Sequence, residues 1–115
     1  MPYVQYNTNK HIFNQQRGEI LEATTSLIPL ITGKKPESTM VTINDDLCMM
    51  FALTNDECLK IDVQLYNEAS FEDRKRFSEE LMERIALITG IDISRIYLTF
   101  STFEHWGRDG ILKGK

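Results

Sequence analysis

Pro2 stands directly behind Met1 and directly before the run Tyr3-Val4-Gln5-Tyr6, which reads as a β-strand. With Met1 removed, its ring nitrogen is a free secondary amine. An amine held in apolar surroundings has its charged form disfavoured, so its pKa falls below that of a free α-amino group. Near neutrality such a group takes and returns protons, which is general acid–base chemistry. Proline in second place can also mark nothing more than a processed terminus, but a terminus that leads straight into a core strand suggests a further role. Lys34, after Ile31-Thr32-Gly33 at the end of a helix-like stretch, is a second candidate. On its own it reads as a cation complementing the negative end of a helix dipole, and its neighbour Lys35 reads as solvated.

Other chemistries find little support. Cys48 and Cys58 form no CxxC and are too few for a disulfide framework, and His11 and His105 are a poor basis for a histidine metal site. No metal and no cofactor is therefore expected. The 115 residues imply one domain, large enough for a core and small enough to gain from burying a face in an oligomer. A hydrophobic fraction of 42% with a formal charge of −4 describes an ordinary soluble globular chain. No basic field predicts nucleic acid as a partner, and no apolar run approaches a membrane span. No charged and then apolar leader precedes the first strand, so a cytoplasmic protein is expected.

The elements that must position Pro2 and Lys34 come from an internal repeat. Ile31-Thr32-Gly33 recurs as Ile88-Thr89-Gly90, 57 residues later by the numbering. The same offset aligns Met40-Val41-Thr42-Ile43 with Tyr97-Leu98-Thr99-Phe100, Val4 with Ile61, and Tyr6 with Val63. Each half reads strand, helix, strand, the βαβ unit whose two strands run parallel. The fold class is α/β (α+β), one domain over residues 1–115 with pseudo-repeats at about 2–53 and 58–110. Phe77, Leu81, Ile85 and Ile88 give the second helix one apolar stripe, Ser70 with Asp73 resembles a cap at its start, and Gly90 is a plausible left-handed stop. Its charged residues form a solvated face. In the first helix Gly18 and Pro29 predict a kink or an irregular last turn. Asn44-Asp45-Asp46 signals a turn, with a short strand expected from Cys48 to Leu53 and a tail from Thr102.

The chain resembles the tautomerase superfamily, in the branch of macrophage migration inhibitory factor and D-dopachrome tautomerase. The match rests on Met1-Pro2, Asn7-Thr8-Asn9, Thr32-Gly33-Lys34, the Met50-Phe51 strand and Arg95-Ile96-Tyr97, and runs to about Gly110. The resemblance implies the tautomerase fold: a four-stranded main sheet with two helices on one face, plus short edge strands, assembling as a homotrimer with active sites between subunits. It also implies Pro2 as the acid–base group and Lys34 as the receiver of a substrate carboxylate, its charge helping to depress the pKa of Pro2. Tyr97 would reach into a neighbouring subunit's pocket, though an aromatic on a strand is otherwise a core residue. Thr99 falls where the cytokine has an asparagine; a hydroxyl replaces one hydrogen bond but not an amide's pair. The repeat adds a check of its own, for the offset sets Leu59 opposite Pro2 and Ile91 opposite Lys34. Apolar residues stand in the second copy where the first has an amine and a cation.

Departures from the family pattern are equally specific. Leu65-Tyr66-Asn67 replaces the usual Ser-Ile-Gly, so Tyr66 would bring a bulkier, polar-tipped ring to the pocket. Phe51-Ala52-Leu53 stands for Phe-Gly-Gly, and Ile61 replaces the second cysteine of a CxxC that would begin at Cys58, which removes any expected thiol-oxidoreductase activity. Trp106-Gly107-Arg108-Asp109-Gly110 replaces Trp-Gly-Trp-Asn-Gly. Trp106 either walls the pocket or packs at the trimer interface. Arg108 either holds a carboxylate at the pocket mouth or pairs in solvent with Asp109 or Glu104.

The leading expectation is a keto–enol tautomerase acting on a small keto or enol acid of the phenylpyruvate or dopachrome type. Pro2 would move the proton, Lys34 and Arg108 would anchor the carboxylate, and Tyr66, Tyr97 and Trp106 would shape the pocket. A lyase or dehalogenase acting on small carboxylic acids through Arg108 is a second reading. A cytokine-like or scaffolding trimer that binds a protein receptor, secreted without a signal peptide, is a third.

Overall fold

The computed structural model describes residues 1–114, so the last residue of the expected tail, Lys115, lies outside the described residues. Strand β1 covers Pro2–Thr8, helix α1 Asn14–Leu27, β2 Met40–Asn44, β3 Leu59–Tyr66, α2 Phe71–Thr89 and β4 Ile96–Phe103; the short β5, Trp106–Arg108, and β6, Ile111–Lys113, follow. The main sheet has the order β2-β1-β3-β4. β1 runs parallel to β2 and β3 parallel to β4, as two βαβ passages require, while β1 and β3 meet antiparallel. Because its sequence partners lie on both sides, β1 is a central strand.

Alternation decides which face is covered. Val4, Tyr6 and Thr8 of β1 and Leu59, Ile61, Val63 and Leu65 of β3 are buried, while their neighbours in sequence are only half-buried. Ile20 of α1 and Phe77, Leu81 and Ile85 of α2 join those strand residues in one core, so both helices lie on the same face. The other face carries Tyr3, Gln5, Lys60, Asp62 and Gln64 and has no layer over it in the single chain. No helix among the described residues is long and apolar enough to cross a membrane.

The helix ends follow their local chemistry. The Ser70 hydroxyl accepts the Asp73 amide at 3.1 Å, and Gly90 takes φ 76° where α2 stops. Pro29 has no N–H to give to the carbonyl four residues back. Helix α1 therefore ends at Leu27 and tightens into a 3₁₀ turn over Ile28–Leu30, the irregular last turn that the sequence predicts.

Two local expectations change. Cys48–Leu53 is not a strand: it makes a single bridge, Phe51 to Thr54, around Ala52 and Leu53 at φ 52° and 65°. A strand exists only as part of a ladder, and the chain offers this segment no neighbouring strand; its apolar residues instead stand out, Leu53 at 93% exposed. The region after Thr102 is not a plain tail. β4 continues to Phe103, and β5 and β6 form an antiparallel hairpin turning at Asp109 and Gly110, both left-handed at φ 54° and 74°. An Asp-Gly pair suits a two-residue hairpin loop because both central residues need positive φ.

One buried hydrogen bond ties β1 to α1. Thr24 gives its hydroxyl proton to the Ile20 carbonyl at 2.6 Å, so Tyr6, also at 2.6 Å, must be the donor to Thr24 Oγ1. Burial holds the Tyr6 phenol well above its usual range, which keeps it protonated as that role needs. Tyr6→Phe removes a buried donor and leaves the Thr24 acceptor bare, and is expected to destabilise the fold by about 1–2 kcal/mol in denaturant unfolding.

Candidate active site

The first residue of β1 is where the chain can do chemistry. Pro2 is buried and pairs with Leu65 of β3, which in turn pairs with Thr102 of β4. The β2 side of the register starts only at Tyr3, opposite Met40, so no ladder bond to β2 is asked of the proline nitrogen. A cavity of about 630 Å³ opens at this end of the sheet, with Met1 and Pro2 in its wall. Met40, Phe103 and Trp106 supply its apolar surface; Gln64, Glu37, His105 and Arg108 supply polar groups. Trp106 and Phe103 meet edge to face at 6.1 Å between ring centroids, which fixes that wall.

Two cations bear on the amine at the chain terminus. The chain carries Met1, so the Pro2 nitrogen is an amide and the free amine is that of Met1; it stands in for the proline amine that removal of Met1 would expose one residue deeper. Its pKa lies below that of an ordinary α-amino group, first through burial and then through the charges of Lys34 and Arg108. Lys34 reaches this place from the turn after α1. Gly33 there takes φ 82°, the Lys34 amide donates to the Ile31 carbonyl at 3.0 Å, and Nζ donates to the Tyr66 carbonyl at 2.7 Å. Tyr66 follows the residue that pairs with Pro2, so this bond brings the ammonium beside the strand end. Burial also lowers the pKa of Lys34.

The sequence-predicted residues separate into two groups. Pro2, Trp106 and Arg108 line the cavity, and Lys34, outside its wall, is close enough for its charge to lower the pKa of the terminal amine. Arg108 Nε is also 3.7 Å from Asp109 Oδ2, so the cavity wall and the solvent pair coexist. Tyr66 contributes its carbonyl oxygen to Lys34, while its side chain lies outside the cavity wall. Tyr97 and Thr99 lie elsewhere in the chain: they pair with Lys60 and Asp62, whereas Thr102 is the β4 residue level with Pro2. Five residues of strand separate Tyr97 from that level, roughly 17 Å at the rise of a β-strand. Its ring meets Phe51 at 4.7 Å and is 59% exposed. Thr99 accepts from Lys60 Nζ at 2.8 Å and donates to Asp62 at 3.0 Å.

Sequence reasoning did not single out Met40, Phe103, Gln64, Glu37 or His105. Strand alternation was the available signal, since Phe103 shares the face of Tyr97 and Thr99, and Met40 stands opposite Tyr3. Among the described residues, one cluster has the makings of a metal site: His11, Asp45 and Asp46, at the far end of β1 from Pro2. Asp45 is already engaged by Arg17 at 2.9 Å and the Ile12 amide at 2.9 Å, which pins the loop and accounts for the geometry.

The family model described as "Macrophage migration inhibitory factor (MIF)" matches residues 1–110. The chain belongs to the macrophage migration inhibitory factor family. Similar solved structures agree on the fold of this MIF-family chain. MIF2 of Leishmania major superposes with a TM-score of 0.92 at 20% identity, covering 98% of this chain and 97% of that one. A MIF homologue from Prochlorococcus marinus gives 0.86 at 19% identity, covering 97% and 99%. A structure described as Pt0534 inactivated by 2-oxo-3-pentynoate gives 0.84 at 19% identity, covering 94% and 93%. No curated protein matches this MIF-family sequence.

The arrangement makes a prediction independent of turnover. In protein retaining Met1, Lys34→Met is expected to raise the pKa of the terminal amine, because a nearby positive charge that disfavours protonation is gone. Titration of the amine by ¹⁵N NMR measures the shift; an unchanged value would show that Lys34 exerts no field there.

Proposed function

We propose that this protein, once freed of Met1, is a keto–enol tautomerase that uses the Pro2 amine as general base and acid on a small 2-oxo acid. The observation that carries the reading is the terminal strand residue buried in an aromatic-walled cavity with two cations beside it. Pro2 N removes the proton from the carbon next to the carbonyl, and the electron pair moves into the enolate as charge builds on oxygen. Lys34, with Arg108, holds the substrate carboxylate and stabilises that charge; the protonated amine then returns its proton to complete the tautomer. Burial and the two cations lower the pKa of an amine at this end of the chain, which favours the unprotonated base, so activity is expected to be lost as pH falls through that lowered pKa. The inactivation of a structural neighbour by 2-oxo-3-pentynoate supports a 2-oxo acid as the substrate class.

Membership of the MIF family supports a homotrimer as the working unit, and in it Tyr97 and Thr99 would serve a neighbour's site. Neither reaches the Pro2 of its own chain, and a neighbouring copy would bring them to it. The presence of Arg108 in the cavity wall favours, as the second reading, lytic chemistry on a small unsaturated or halogenated acid.

The test is ketonisation of phenylpyruvate by mass-verified, Met1-free protein. Pro2→Ala is expected to lower kcat/KM by about two orders of magnitude while the variant stays folded as the same oligomer. Protein retaining Met1 is expected to be inactive, since its Pro2 nitrogen is an amide. No turnover by a parent with its proline free would overturn the proposal and move the weight to Arg108-dependent chemistry or to partner binding.

A further inference from the structure

The turn that delivers Lys34 is held from outside by a residue no part of the cavity contains. Asp73, in the first turn of α2, accepts the Thr32 amide at 3.0 Å and the Thr32 hydroxyl at 2.7 Å on one carboxylate oxygen. Both bonds hold its carboxyl below the usual carboxylate range, the backbone donor contributing most. From Thr32 the chain passes through left-handed Gly33 to Lys34, whose Nζ ends on the Tyr66 carbonyl. The turn therefore has three fixed points: Asp73 at one end, the Ile31 carbonyl behind it, and Tyr66 at the lysine tip.

The repeat shows what the fold alone asks of this place. The 57-residue offset that pairs Thr32 with Thr89 pairs Asp73 with Gln16. Gln16 sits in the first turn of α1 and donates to the Ile88 carbonyl at the end of α2, at 3.2 Å. Each helix start thus grips the end of the other helix. In the half whose turn leads to buried Ile91, Gln16 shares the holding with the Lys10 ammonium, which donates to the Thr89 carbonyl at 2.6 Å; in the half whose turn leads to Lys34, one carboxylate makes both bonds to Thr32. Charge-assisted bonds are the stronger kind.

We infer that Asp73 is a positioning residue for Lys34, fixing the Thr32-Gly33-Lys34 turn so that the ammonium meets the substrate carboxylate and the terminal amine. This inference rests on the tautomerase reading for its kinetic consequence and not for its structural one.

The sign of the effect separates it from simple electrostatics. Removing the negative charge of Asp73 would by itself lower the pKa of an amine. Releasing Lys34 from its place beside the amine raises it. The charged and titratable groups at issue are Lys34, Arg108, Glu37 and His105 around the amine and Arg76 beside Asp73. In Met1-free protein, Asp73→Ala is expected to raise KM for phenylpyruvate about fivefold, with kcat changed much less. It should also move the acid limb of kcat/KM to higher pH and raise the amine pKa read by ¹⁵N NMR. Asp73→Asn keeps an oxygen that can accept both Thr32 bonds and is expected to recover most of the loss. In a Lys34→Met background, Asp73→Ala should raise neither KM nor the amine pKa further, since the group it positions is absent.

A lowered or unmoved amine pKa in a folded Asp73→Ala variant overturns the inference, as does an undiminished effect in the Lys34→Met background. An upward shift in the amine pKa, with a parent that turns over no phenylpyruvate, supports the positioning role and sinks the tautomerase reading alone. Should Asp73→Ala fail to fold, Thr32→Val carries the same test, because it deletes the hydroxyl bond and leaves the Ser70 cap and the carboxylate in place.

Discussion

The antiparallel pairing of β1 with β3 is the constraint on which the rest of the molecule depends. It sets the first strand of the chain at the centre of the sheet, between β2 and β3, and so carries a chain terminus into the interior. A terminus is normally the cheapest part of a protein to leave in water. Here Val4 and Tyr6 are fully buried, and the hydrogen bond from Tyr6 to Thr24 clamps the strand to α1 only a few residues from the end. Fraying would expose those side chains, so the position of the terminal residue is secured by core packing. Proline suits the place because a strand's first residue is where its missing donor costs least.

Electrostatics then acts on a group that the core has already fixed. The terminal amine is partly desolvated, and the two cations nearest to it arrive on separate elements: Lys34 on the turn after α1, and Arg108 on β5. Like charges beside a desolvated amine would be plain destabilisation in a structural role. Each cation has an outlet, Lys34 onto the Tyr66 carbonyl and Arg108 towards Asp109, so neither is left bare. Both outlets leave charge free to serve an anion, since one carbonyl oxygen or one loose, exposed carboxylate does not neutralise a cation.

Much of this was legible in the sequence because it follows from periodicity. The spacing of Phe77, Leu81 and Ile85 gave one face of α2, and the recurrence of Ile-Thr-Gly gave the two parallel strand pairs. Cys48–Leu53 misled because its composition is that of a strand, while a strand needs a neighbour that composition cannot supply. The hairpin after Phe103 was readable from Asp109-Gly110, the pair that a two-residue loop between short strands calls for. Tyr97 and Thr99 show a limit of another kind. Alternation tells which face a residue takes, and only the cross-strand register tells how far along the sheet it stands from Pro2.

The quasi-symmetry of the fold makes the strongest argument that Pro2 and Lys34 answer to more than folding. Their counterparts, Leu59 and Ile91, are each 2% exposed and belong to the core. The fold therefore asks for apolar burial at these two places and obtains it in the second half. In the first half the same places hold a residue whose nitrogen becomes an amine on loss of Met1, and a lysine that burial pushes towards its neutral form. Substituting such groups for leucine and isoleucine gives up apolar burial and desolvates charge, both unfavourable to stability. A chain that meets the apolar demand once and departs from it at the cavity-lining terminus and at a lysine whose charge is felt there fits the chemical requirement proposed for that cavity.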